Sequence, residues 1–100
     1  ELSKGYQCSV HRHLKKDETF YILAGEVWLE LGDATLHLRS GYAVRVKPRK
    51  WHRFTGLKNS KIIEFSTQHF DEDTERKTKS REIPKIELYL YGFSEKNHSN

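Results

Sequence analysis

Cysteine is nearly missing from this chain. Cys8 is the only one in 100 residues, so no intramolecular disulfide can form and a cysteine-rich zinc module is excluded. A lone thiol makes the cytosol the expected compartment. No apolar run approaches the ~18 residues that a membrane-spanning helix requires, and the first residues lack a signal-peptide pattern. Methionine is also absent and the chain opens at Glu1, so a preceding segment with room for one or two further strands is expected. Charge of one sign is not concentrated anywhere. The 18 Lys and Arg outnumber the 14 Asp and Glu to give +4, yet the bases are dispersed and repeatedly stand beside acids. Nucleic-acid binding, which gathers positive charge and interleaves aromatics on one face, is therefore disfavoured. Small anions such as phosphorylated metabolites remain compatible.

What is present is a small apolar fraction, 35% against 32% charged, with a mean hydropathy of −0.85. One domain over residues 1–100 with a small interior and a charged surface follows. Apolar residues fall in short or alternating runs: "YQCSV", "TFYILAGEVWLEL", "ATLHLRS", "YAVRVK", "KIIEFS" and "KIELYLYGF". Turn signals separate many of them, at 15–17, 32–33, 40–41, 47–50 and 58–60. This pattern predicts an all-β sandwich or barrel. Residues 68–84 lack it and are expected to form one long charged surface loop, with at most a helical turn near 71–77. Residues 94–100 read as a flexible tail.

Alternation along a strand puts His11 and His13 on one face and Arg12 on the other. Carried back, it groups Gln7 and Ser9 with the histidines and Tyr6, Cys8 and Val10 on the opposite face. Glu18 opens the next strand, where an antiparallel return brings it beside the two imidazoles. His52 begins another strand. Three imidazoles and a carboxylate suit Zn, Mn, Fe, Co or Ni and leave positions open to water or substrate. His37 has no partner at ligand spacing, His69 lies in the charged segment and His98 in the tail.

Residues 5–25 thus read glycine, five residues, H-x-H, four residues, glutamate, six residues, glycine. This resembles the first motif of the cupin superfamily. Residues 41–54, "GYAVRVKPRKWHRF", resemble the second through Gly41, Pro48 and His52, but Lys50 stands near the usual glycine and one residue fewer separates proline from histidine. The resemblance implies a cupin-type double-stranded β-helix, a jelly-roll barrel, with His11, His13, Glu18 and His52 as inward metal ligands. Within the superfamily the chain looks most like the cupin domain of mannose-6-phosphate isomerases, which implies aldose–ketose isomerisation of a sugar or sugar phosphate. A metal-dependent dioxygenase and a non-catalytic module binding a sugar or small anion are the alternatives.

On that reading Glu64 is the candidate base. It shares a mixed face with Ile62, Ser66 and Gln68. Lys16, at the barrel rim, and Asp71, Asp73 and Arg76 are candidates for substrate contact. Phe20, Ile22, Val44, Val46 and Phe54 are expected to pack the barrel, with Cys8 as a small packed residue. A homodimer is implied by the family, through the face carrying Val27, Leu29 and Leu31 or the one carrying Trp28.

Overall fold

Apolar alternation resolves into ten strands in the computed structural model, which describes residues 1–67 and 73–84. They are β1 (Tyr6–Gln7), β2 (His11–His13), β3 (Glu18–Ala24), β4 (Glu26–Leu31), β5 (Ala34–Arg39), β6 (Ala43–Val46), β7 (His52–Gly56), β8 (Lys61–Ser66), β9 (Thr74–Arg76) and β10 (Arg81–Glu82). Among the described residues there is no helix, hence none long and apolar enough to cross a membrane. The expected tail and the run "KIELYLYGF" lie outside the described residues.

All pairings are antiparallel and form two sheets. The larger holds β5, β4 and β7, then β1 and β2 beside β7, then β10 and β9 at the far edge. The smaller is β6–β3–β8. Between them lies a core of Phe20, Ile22 and Val46 from the small sheet and Val27, Leu29, Leu38 and Phe54 from the large one, with Leu2 alongside. The Phe20 and Phe54 rings meet edge-on with centroids 4.9 Å apart. Val44 packs against this core, as does half-buried Cys8. The two facing sheets are consistent with the double-stranded β-helix.

The long run at residues 19–31 is divided at Gly25, whose φ of +94° is open to glycine and strained for other residues. A Cβ there would lie 2.2 Å from Ser60 Oγ and 2.5 Å from the Asn59 carbonyl. The other irregular turn, at 47–50, contains Arg49 with φ +71°. Arg49 thus takes the left-handed conformation beside the position where the motif usually has glycine.

Three expectations are corrected. Residues 73–84 are not a continuous loop: β9 pairs along β2 and β10 along β1, because backbone hydrogen bonding at a sheet edge does not need apolar alternation. Gln7 does not share the histidine face. Gln7 stands opposite Thr55 and His11 opposite His52, so four steps on one strand match three on the other. That extra residue is a bulge that flips the pleat. Gln7 is consequently buried on the outer side, donating from Nε2 to Thr55 Oγ1 at 3.0 Å, while Cys8 turns toward the core. Finally, Val27 and Leu29 are fully buried in the core, so their face is not free for a second copy, whereas Trp28 is half-buried against Leu57 and Ile83. The exposed apolar side chains of the small sheet's outer face are Leu23, Ile63 and Phe65.

Candidate metal centre

The pairing of β2 with β7 places His11 directly across from His52, and the alternation along β2 adds His13 on the same side. One ligand atom from each of the three lies within 4.8 Å of the others. Glu18 arrives from the opposing small sheet. Its Oε1 lies 3.4 Å from His13 Nε2 and 3.6 Å from His52 Nε2. The four residues singled out by spacing therefore converge between the sheets.

Each imidazole is oriented through its other nitrogen. His11 Nδ1 lies 2.8 Å from the Ser9 carbonyl and His52 Nδ1 lies 2.9 Å from the Lys50 carbonyl, both as donors. His13 Nδ1 lies 3.0 Å from Thr74 Oγ1. In His11 and His52, donation from Nδ1 to a carbonyl fixes the tautomer in which Nε2 carries a bare lone pair, the arrangement that surrounds ligating histidines. Sequence reasoning missed all three supports. Two are backbone carbonyls two residues before the histidine, which carry no residue-type signal, and Thr74 lies on a strand read as loop.

Burial then sets the charges. His13 and His52 are both pushed down to about 4, mainly by loss of solvent, with the Lys16 ammonium and the neighbouring imidazoles acting in the same direction. His11 is lowered by burial too, against the Ser9 carbonyl. Glu18 is raised to about 7 by burial and by the Glu64 carboxylate, with Lys16 opposing. At neutral pH the imidazoles are uncharged donors. His52 Nε2 and Glu18 Oε1 are buried with no hydrogen-bond partner. Leaving such atoms unpaired is costly, and a cation among them would satisfy both. The three histidines form a group that could hold a metal ion, and imidazole nitrogen with carboxylate oxygen is a donor set that suits one.

Around this centre the remaining candidates separate. Glu64 stands opposite Phe20 on β3, on the same face of edge strand β8 as Ile62 and Ser66, and its side chain is 41% exposed. Its carboxylate borders a solvent-open cleft of about 160 Å³ shared with Cys8, Phe20, Phe54 and Ile62. Burial would raise its pKa, but hydrogen bonding to Ser66 and the Lys16 ammonium bring it below the ordinary value. Lys16 is not at the rim: it is buried, its Nζ 3.6 Å from Glu18 Oε2 and 3.5 Å from Glu64 Oε2. Asp73 is buried as well. Its carboxylate accepts from the Lys15 and Lys16 backbone N–H groups at 2.8 and 3.0 Å and so holds the 14–17 turn. Arg76 is exposed opposite His11 on the same side of the sheet, and its charge contributes to lowering His11. Asp71 and His69 lie outside the described residues. His37 is exposed near Glu26, away from the centre.

A small two-sheet β barrel with three histidines gathered between its sheets is the class this geometry defines. The cupin-domain family matches residues 1–65, and the chain belongs to that family. No curated protein matches. Among solved structures, KdgF from Halomonas sp. aligns with a TM-score of 0.65 at 22% identity, over 70% of this chain and 64% of that one. A Streptomyces PAC13 variant with uridine gives 0.68 at 14%, over 85% and 68%; Pac13 is described as a nucleoside dehydratase. Oxalate decarboxylase from Bacillus subtilis gives 0.66 at 16%, over 99% of this chain and 28% of that enzyme. At these identities the likeness establishes the fold.

Proposed function

We propose that the chain is a metal-dependent cupin enzyme acting on a sugar or sugar phosphate, with aldose–ketose isomerisation of the mannose-6-phosphate isomerase kind as its reaction. The observation that carries the metal is the pair of buried, unpartnered atoms, Glu18 Oε1 and His52 Nε2, aimed at one point. His11, His13, His52 and Glu18 would hold the ion. Bound there, a divalent metal supplies Lewis-acid polarisation of a carbonyl oxygen.

The reaction is supported by Glu64, a carboxylate that borders both the cleft and the metal centre. It would remove the proton from the carbon beside the substrate carbonyl and return it to the former carbonyl carbon, while the adjacent hydroxyl's proton passes to the former carbonyl oxygen. Lys16 keeps that carboxylate ionised and ready to accept. Arg76, across from His11, would meet an anionic group on the substrate. The outer face with Leu23, Ile63 and Phe65 is the surface proposed for pairing with a second copy, and the cytosol is the proposed compartment. Sedimentation velocity tests the pairing: a dimer that Phe65→Glu turns into monomer is expected, and a parent monomeric at every concentration would dismiss it.

Turnover is tested with metal-loaded protein and mannose 6-phosphate in deuterated water. Formation of the ketose product with deuterium at carbon 1 is expected, reduced about 10²- to 10⁴-fold in Glu64→Gln. No exchange above the His52→Ala background would remove this substrate from consideration. Oxygen uptake by the Fe(II)-loaded protein would favour a dioxygenase instead, and saturable sugar binding without turnover a binding module.

A further inference from the structure

We infer that Lys16 is a positioning residue that confines Glu18 to one metal-facing oxygen and so keeps a coordination position open for water or substrate. The inference rests on the metal reading above and concerns how the site is shaped.

Lysine in a turn is ordinarily solvated, and burying its ammonium is unfavourable unless it is paired. Lys16 is nonetheless only 7% exposed. Its two carboxylate neighbours account for that: Glu18 Oε2 at 3.6 Å and Glu64 Oε2 at 3.5 Å. The consequence for Glu18 is a division of labour between its oxygens. Oε1 looks toward His13 and His52 and has no hydrogen-bond partner, whereas Oε2 lies against the ammonium.

The main chain carrying Lys16 is fixed as well. Asp73 accepts from the backbone N–H of Lys16 with one carboxylate oxygen and from that of Lys15 with the other. With the backbone clamped and Glu64 as a second anchor, the ammonium stays beside Glu18 Oε2. A carboxylate can bind a cation through one oxygen or through both. An ammonium on Oε2 opposes the two-oxygen mode, since moving that oxygen to a metal would strip a buried cation of one partner. Catalytic metal sites are distinguished from structural ones by the position left open.

The experiment loads the full chain with Mn(II) and measures the longitudinal relaxation of water protons, which reports water molecules bound directly to the ion. Lys16→Met keeps the length of the side chain and removes its charge; Lys16→Arg keeps the charge. We expect the relaxation enhancement per bound Mn(II) to fall in Lys16→Met, as Oε2 displaces a water, and to return toward the parent value in Lys16→Arg. Equal enhancement in parent and Lys16→Met, both carrying one Mn(II), would overturn the inference and leave the metal site standing. A parent that binds neither Mn(II) nor Co(II) would overturn the metal site itself. Where Lys16→Met does not fold, a crystal structure of the Zn-loaded parent decides: one Glu18 oxygen on the ion upholds the inference, and two overturn it.

Discussion

Thr74 marks the difference between finding ligands and finding a site. The convergence of His11, His13, Glu18 and His52 was legible because strand alternation and motif spacing act on side-chain identity. Their supports were not legible, because the Ser9 and Lys50 carbonyls belong to every residue type and Thr74 is 61 positions from its histidine. Replacing Thr74 by Val removes the hydroxyl that orients His13 at little change in volume. Loss of such a supporting contact is expected to weaken metal binding about 10- to 100-fold with the fold intact, measured by competition with a chromophoric chelator. Unchanged affinity would show that His13 needs no orientation from β9. The site's charges give a second prediction for the metal-free protein. His13 and His52 stand at about 4 in the fold against 6.5 when unfolded, and Glu18 at about 7 against 4.5. From pH 6.5 down to 4.5 the unfolded chain gains protons on two imidazoles and the folded one holds one extra on Glu18. The balance favours the unfolded state, so stability falls as the pH drops through that window. Urea titrations at pH 7 and pH 5 with chelator present check this, and equal midpoints would mean that the imidazoles are not kept neutral.

At the level of strands, the sequence was informative wherever apolar alternation met a turn signal, as in β5, β6 and β8. It failed in two places for different reasons. The bulge between Gln7 and His11 adds a residue without altering composition, so counting in twos carried Gln7 to the wrong face. β9 and β10 are built from polar and charged residues whose backbone groups pair with β2 and β1, which a hydrophobic pattern cannot register. Gly25, by contrast, was visible as a motif glycine, and the structure gives its physical reason. Gly25→Ala brings a Cβ to 2.5 Å from the Asn59 carbonyl at a φ of +94°. We expect a loss of at least about 1–2 kcal/mol, read as a lower urea midpoint. A variant as stable as the parent would mean that the β3–β4 turn relaxes without strain.

Across the whole molecule, the fold was predictable because the cupin motif encodes it, whereas the reaction depends on what the cleft admits. One feature of the architecture reaches beyond coordination. His11, His13 and His52 belong to the large sheet and Glu18 to the small one, so a metal held by all four would act as a cross-link between the two sheets at one end of the barrel. Sequence separation adds to this: the ion would join positions 11–18 to position 52, closing a loop of more than thirty residues that no disulfide spans. Hydrogen exchange followed by mass spectrometry should register that cross-link. Chelation is expected to speed exchange over β2, the 14–17 turn and the start of β3, while the Val27–Leu38 end of the β4–β5 pair, the end away from His52, keeps its protection. Uniform loosening of every strand would instead make the metal a prerequisite for the entire fold, and the barrel would then be a structure that its ion assembles.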